Sequence, residues 1–327
     1  MKTLVFQALA EAARANEPVA LGIIVGVKGS SPQKVAAKAL FYSDGRIKGT
    51  LGGGCLEAEI QKRAVQSLRT GQGESFDLLL DHDFGWDDGL ICGGKVQGLI
   101  LPNAQSAGER FWSELAQRRA ILSWGVKPDF SLERYEGSPL DNRSDQARDA
   151  GKAGSLPASG MLYLEKVTPP CALWIAGAGH IAQAVAPLAA QLDFEVTVFD
   201  DRPALANQQS FGRDISFKCD VWEKLLKVPP PEAPGFALIV TRGHRHDALV
   251  LENWIHKPFL FLGMIGSARK ARIIFEHFIQ EKVATAEELQ RVACPVGLDI
   301  GSQSVTEIAV SIMAQFIEKR AKLVHGL

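Results

Sequence analysis

CALWIAGAGHIAQAVAPLAAQLDFEVTVFD, Cys171 to Asp200, decides the fold of this chain. Its first six residues read as a hydrophobic strand. Gly177-Ala178-Gly179-His180-Ile181-Ala182 then turns into a helix, and FEVTVFD is a second strand ending in Asp200. This is a GxGxxA form of the dinucleotide fingerprint. Gly177 makes the turn, Gly179 lets a phosphate approach the backbone, and Ala182 stands where a third glycine would let helix and strand pack closely. Asp200 is placed to hold ribose hydroxyls, which predicts an NAD-like ligand over an NADP-like one. Asp201 adds to that bias and Arg202 opposes it. Pro187 should cost the helix a hydrogen bond. The fingerprint specifies architecture and leaves the ligand open, since this fold hosts many functions.

Downstream, FALIVT and FLFLGMI read as further strands, followed by the polar loops RGHRHD and GSARKAR. In a doubly wound sheet such loops gather at the carboxyl edge, beside the glycine turn. Upstream, Glu136 to Gly160 is a polar stretch rich in Gly, Ser, Pro and charge, which reads as a linker. Residues 106–170, with one helix and a few β-like runs besides that linker, are expected to be a less regular middle region, between an N-terminal α/β domain (1–105) and a C-terminal Rossmann-like parallel-sheet domain (171–327).

In the N-terminal part, Leu4, Val5, Ala8, Leu9 and Ala12 keep helical spacing, and VALGIIVGV (Val19 to Val27) reads as a buried strand. AKALFYSDGRIKGTL predicts a hairpin turning at Asp44-Gly45. GTLGGGCLEAEI follows directly and sets Gly52, Gly53, Gly54 and Cys55 at the start of a helix running to about Leu68. A helix start offers free backbone N–H groups and the positive end of the macrodipole, and glycines admit a ligand to that backbone. Such a place suits an anion, and it favours the thiolate of Cys55. The alternative for Cys55 is a small core residue.

The chain has 327 residues, 46% of them hydrophobic, and 36 basic against 37 acidic residues give a formal net charge of -1. Charge thus gives no reason to expect nucleic acid or an anionic membrane as partner. Five scattered cysteines with no CxxC pair read as reduced cytoplasmic thiols. Cys171 to Leu192 lacks Asp, Glu, Lys and Arg, but its glycines, His180, Gln183 and Pro187 indicate strand, turn and helix in place of a membrane span.

Other candidates are less determined. Cys92, in ICGGK, is a second thiol beside glycines, with core packing as its alternative. His244 and His246 with Asp247 could meet at a metal, yet zinc sites use three or four ligands of matched spacing and no such set is evident. Polar contact with a ligand, or a solvated loop, are the other readings. Asp81-His82-Asp83 near Trp86 forms either a charged rim or a loop. His180 occupies a variable fingerprint position and either touches the ligand or faces solvent. Arg242, Arg245 and Arg269 have forked donors that suit phosphate.

The segments GSSPQKVAAKAL, GTLGGGCLEAEI, GLICGGKV, IAGAGHIAQAVAPLA, TRGHRHD, LGMIGSARK and PVGLDIGSQSVTEIAVSIMAQ, in this order, resemble the xanthine dehydrogenase accessory protein (XdhC/CoxI) family. The resemblance implies a cytoplasmic maturation factor that binds molybdenum cofactor (molybdopterin), accompanies its sulfuration and inserts it into a xanthine dehydrogenase-type enzyme. It also implies a homodimer that contacts a cysteine desulfurase. The cofactor is an anionic pterin with a phosphate, a dithiolene and a metal, so glycine amides suit its phosphate and the Cys55 thiolate suits molybdenum as a soft ligand. No acid–base–nucleophile set is recognisable, so independent turnover is not expected. The alternatives are an NAD(P)-dependent oxidoreductase and a nucleotide-binding regulatory module.

Overall fold

In a computed structural model of the chain, residues 2–29, 34–80, 94–136, 160–212 and 214–324 are described. They fall into two compact units, Met1–Pro169 and Pro170–Leu327.

The first unit contains α1 (Lys2–Ala15), β1 (Val19–Lys28), β2 (Lys38–Tyr42), β3 (Ile47–Gly49), α2 (Gly54–Thr70), β4 (Glu74–Leu80), β5 (Gly94–Leu101), α3 (Glu109–Gln117), β6 (Leu122–Val126), β7 (Leu132–Glu136) and β8 (Tyr163–Val167). Strands β3-β2-β1-β5-β4 make one sheet, antiparallel throughout. The hairpin forms where Asp44-Gly45 predicts it, with Gly45 at φ 91°. Strand β1 is buried on both faces because its side chains alternate. Ala20 and Ile24 meet Leu56, Ile60 and Ala64 of α2. Leu21 and Ile23 instead meet Val5, Phe6 and Leu9 of α1. The α2 residues recur every four positions, the spacing that lays a helix on a sheet, and each buried Leu or Ile contributes about 1.5–3 kcal/mol. Gly71, at φ 70°, ends α2 in a left-handed cap.

The described part of the middle region is not irregular. Strands β7-β6-β8 form an antiparallel sheet. Trp112, Leu115, Trp124, Tyr163 and Val167 join the same core as Phe6 and Leu9. Phe6 lies 6.0 Å from Trp112 and 5.9 Å from Trp124, ring centre to ring centre. The first unit ends at Pro169, in agreement with a boundary before Cys171, and aromatic burial on either side of the polar stretch from Glu136 to Gly160 ties both flanks into that unit. Residues 137–159 themselves lie outside the described residues.

The second unit contains β9 (Cys171–Ala176), α4 (His180–Gln191), β10 (Phe194–Asp200), α5 (Gln208–Phe211), β11 (Ser216–Cys219), α6 (Trp222–Leu225), β12 (Gly235–Ile239), α7 (His244–Trp254), β13 (Phe259–Met264), α8 (Ala268–Gln280), α9 (Ala286–Gln290), β14 (Val292–Ala293) and α10 (Val305–Val324). Its sheet runs β11-β10-β9-β12-β13-β14 with every pair parallel. Strand order therefore reverses between β9 and β12, the switch point at which open α/β sheets place their ligands. One face is covered by α4 and α10, through Ala182, Val185, Ile312 and Phe316. The other is covered by α7 and α8, through Val250, Leu251, Trp254 and Ile274. Pro187 lies inside α4, which runs through it as one helix. Among the described residues no helix is long and apolar enough to cross a membrane.

Candidate functional site

The glycine candidates fall on two loops, one in each unit, and the other described candidates of the second unit follow β10, β12 and β13. In the first, Gly52, Gly53 and Gly54 have φ of 123°, 74° and 57°, a run in the left-handed region that side chains disfavour. Gly53 is the N-cap of α2 and no side chain caps the helix start. A Cβ built on Gly53 would meet nothing within 4 Å, so the loop opens outward there. Its inward side is fixed. Leu51 is fully buried, and the Glu57 carboxylate accepts from the Leu51 N–H and the Thr50 hydroxyl, each at 2.9 Å. Cys55 sits in the first helical turn and is partly exposed. No motif marks the brace from Glu57; its sequence signal is an acid in the first turn of a helix.

At the second loop, the Gly177 N–H donates to the Phe199 carbonyl at 2.7 Å, which ties the turn to β10. Gly177 has φ 108°, and a Cβ there would lie 2.4 Å from the Val240 carbonyl oxygen. Gly179 differs: it caps α4 without a side-chain bond and a Cβ on it would meet nothing within 4 Å. The backbone is therefore unobstructed at this helix start. His180 is exposed at the first position of α4.

Asp200 requires a correction. Its side chain is 2% exposed and already bonded on both oxygens. One oxygen accepts from the Ala178 N–H at 2.7 Å and Arg202 Nη2 at 2.7 Å, the other from the Arg202 N–H at 2.9 Å and Arg202 Nε at 2.8 Å. A carboxylate offers about four lone-pair sites, so ribose hydroxyls would have to displace existing donors. Burial works against the charged form, but the Arg202 fork and the backbone N–H groups outweigh it and hold the carboxyl below its ordinary value. Asp200 thus organises the turn.

The polar loop after β12 does not converge on a metal. Asp247 turns inward, where it accepts from the Thr241 N–H at 3.0 Å and hydroxyl at 2.7 Å and pairs with Lys270. His244 is exposed at the first position of α7. His246 lies 3.1 Å from Arg242, which donates to Asp201 at 2.9 Å. The Arg242–Asp201 pair joins the loops following β12 and β10, the two strands that flank β9. Arg245 and Arg269 are exposed. Among the described residues no group of three or more His, Cys, Asp or Glu could hold an ion. Cys92, Asp81, His82, Asp83 and Trp86 lie outside the described residues. Cys219 is exposed at the end of β11.

A six-stranded parallel sheet with its reversal beside a glycine turn defines a Rossmann-type domain, here joined to an antiparallel-sheet unit that carries a thiol at a helix start. Residues 12–82 match the XdhC and CoxI family, and residues 173–316 match the XdhC Rossmann domain. The chain belongs to the XdhC/CoxI family. It is 26% identical over 321 residues to a probable xanthine dehydrogenase subunit of Bacillus subtilis, covering 94% of this chain and 95% of that one. It is 24% identical over 313 residues to the molybdenum cofactor insertion chaperone PaoD of Escherichia coli, covering 95% and 86%. A crystal structure of a xanthine dehydrogenase from Bacillus halodurans shares the fold, with a TM-score of 0.77 at 22% identity, covering 100% of this chain and 96% of that one.

Proposed function

We propose that this chain is a cytoplasmic maturation factor that holds molybdenum cofactor, supports its sulfuration and delivers it to a xanthine dehydrogenase-type molybdoenzyme. The observation that carries the reading is the glycine loop at the start of α2. Three left-handed glycines open the loop at Gly53, an N-cap without a side-chain bond, with the partly exposed Cys55 in the first turn. A metal needing a full protein ligand set finds none among the described residues. Molybdenum that brings its own dithiolene needs less from the protein, and one soft thiolate suits it. The cofactor, when bound, supplies the metal centre of the recipient enzyme. The chain's own residues would hold it: the amides of Gly53 and Gly54 would take anionic oxygens and Cys55 would supply a soft ligand, while Glu57 keeps the loop in place. The likeness to PaoD supports this reading. Sulfuration calls for a cysteine desulfurase as partner, and we take the working form to be a homodimer.

Replacing Cys55 by serine tests the reading. The side chains are similar in size, so the melting temperature should stay within about 2 °C, a shift expected from under 1 kcal/mol in a protein this large. Molybdopterin content and delivery to a cofactor-free xanthine dehydrogenase should fall at least about tenfold, since a hydroxyl is a poor soft ligand and stays protonated near neutral pH. A lower melting point with unchanged cofactor content would assign Cys55 to packing and refute the proposed role.

The parallel sheet favours one second reading, an NAD(P)-dependent oxidoreductase. Bound nicotinamide absorbance in place of pterin fluorescence in the purified protein would support it.

A further inference from the structure

We propose that Arg202 presents the ligand-facing group at the end of β10, and that the second unit selects a phosphomonoester there over a bare ribose diol. The acid that would otherwise meet the diol is occupied. Asp200 is buried, and four donors, from Ala178 and three positions of Arg202, use its lone pairs. Arg202 engages Asp200 through Nε and Nη2, while Nη1 has no hydrogen-bond partner among the described residues and the side chain is 31% exposed. Because Nη2 and the Ala178 N–H share one carboxylate oxygen, the guanidinium adjoins the Gly177–Gly179 turn. The neighbouring charge is also neutralised: Asp201, which would repel a phosphate, is paired with Arg242 at 2.9 Å. A guanidinium with an unused donor, oriented by a buried carboxylate, matches the oxygens of a dianionic phosphate. Gly179, on the turn that Asp200 braces through Ala178, has open space at its Cα. This reverses the preference for an NAD-like ligand that Asp200 alone suggests.

Two ligands carry such a group: the terminal phosphate of the molybdenum cofactor's pterin, and the 2′-phosphate of NADP. The first alternative rests on the cofactor reading above, while the second does not. The experiment titrates the full chain by calorimetry with NADP and NAD, and by fluorescence with the oxidised pterin of the cofactor with and without its phosphate. At least one phosphorylated member should bind tenfold or more tightly than its unphosphorylated counterpart. Arg202→Gln should erase that difference and Arg202→Lys should keep part of it, with circular dichroism confirming the fold of both. Equal binding within both pairs, tighter binding of the unphosphorylated member in both pairs, or discrimination that survives Arg202→Gln in the folded protein would each overturn the assignment. A protein that co-purifies with molybdopterin yet discriminates neither pair refutes the Arg202 role and leaves the chaperone reading standing. One that prefers NADP and carries no pterin does the reverse.

Discussion

A Gly177→Val protein is expected to lose the folded second unit. Gly177 has φ 108°, and the Cβ of any other residue would lie 2.4 Å from the Val240 oxygen, 2.8 Å from the Val240 carbonyl carbon and 2.9 Å from the Thr241 Cα. All three are backbone atoms just past the end of β12, which is hydrogen-bonded along β9 and β13, and the Val240 N–H itself donates to the Ala176 carbonyl at 2.9 Å. Backbone strain of about 1–3 kcal/mol adds to overpacking of similar size. A β-branched side chain increases both, against a typical domain stability of about 5–15 kcal/mol. Urea melts should show the transition of this unit lost or shifted by more than about 3 kcal/mol, and a variant within about 1 kcal/mol of wild type would contradict the turn geometry. Gly179→Ala is the matched control. At φ -75° and with nothing near its Cβ, it should leave stability unchanged within about 0.5 kcal/mol. Phosphate-ligand binding should nevertheless fall, because the methyl group enters the space left for the ligand.

This contrast explains what the sequence could disclose. Strand, glycine turn, helix, strand and terminal acid lie within thirty consecutive residues, and each is set by local pattern, so the second unit was legible. The hairpin at Asp44-Gly45 and the helix after Cys55 were legible for the same reason. The middle region was legible only as a helix and a few β-like runs, because its packing depends on Trp112, Trp124 and Tyr163 sharing one core with Phe6 across the chain, and no local spacing records such a contact. Asp200 shows the same limit at a single residue. Its position at the strand end is local information, whereas its saturation by Ala178 and Arg202 is three-dimensional. The pH dependence follows from that environment. With its carboxyl held below the ordinary value, Asp200 contributes stability that is present above about pH 4 and is lost as pH falls through the folded value. In Asp200→Asn the acid arm of the stability profile should therefore flatten.

The largest effect expected in the first unit comes from Lys38, which no motif singled out. Its side chain is 2% exposed and pairs with the 5% exposed Glu165 at 2.8 Å, so two charges are removed from water together. The ammonium also donates to the Ala36 carbonyl at 2.9 Å. It lies 5.7 Å from the ring centres of Phe6 and Trp124 and 5.5 Å from that of Tyr163, which makes an aromatic enclosure. Glu165 accepts from the Trp124 indole N–H at 2.8 Å. Because Lys38 is on β2 and Glu165 on β8, the pair links the five-stranded sheet to the three-stranded one. Lys38→Ala should cost about 3–5 kcal/mol, since it leaves a buried carboxylate without this cation and a void among the rings. For a unit of this size that is a fall of roughly 6–20 °C in melting temperature. The double variant Lys38→Met, Glu165→Gln removes both charges, fills the enclosure with a flexible apolar chain and keeps an acceptor for Trp124. It should recover most of the loss, because well-packed neutral replacements of buried ion pairs are often neutral or stabilising. Thermal melts of the two single variants and the double variant close the cycle. If Lys38→Ala costs less than about 1 kcal/mol, or the double variant is no better than the worse single one, desolvation does not govern this pair and the link between the sheets rests on aromatic packing alone.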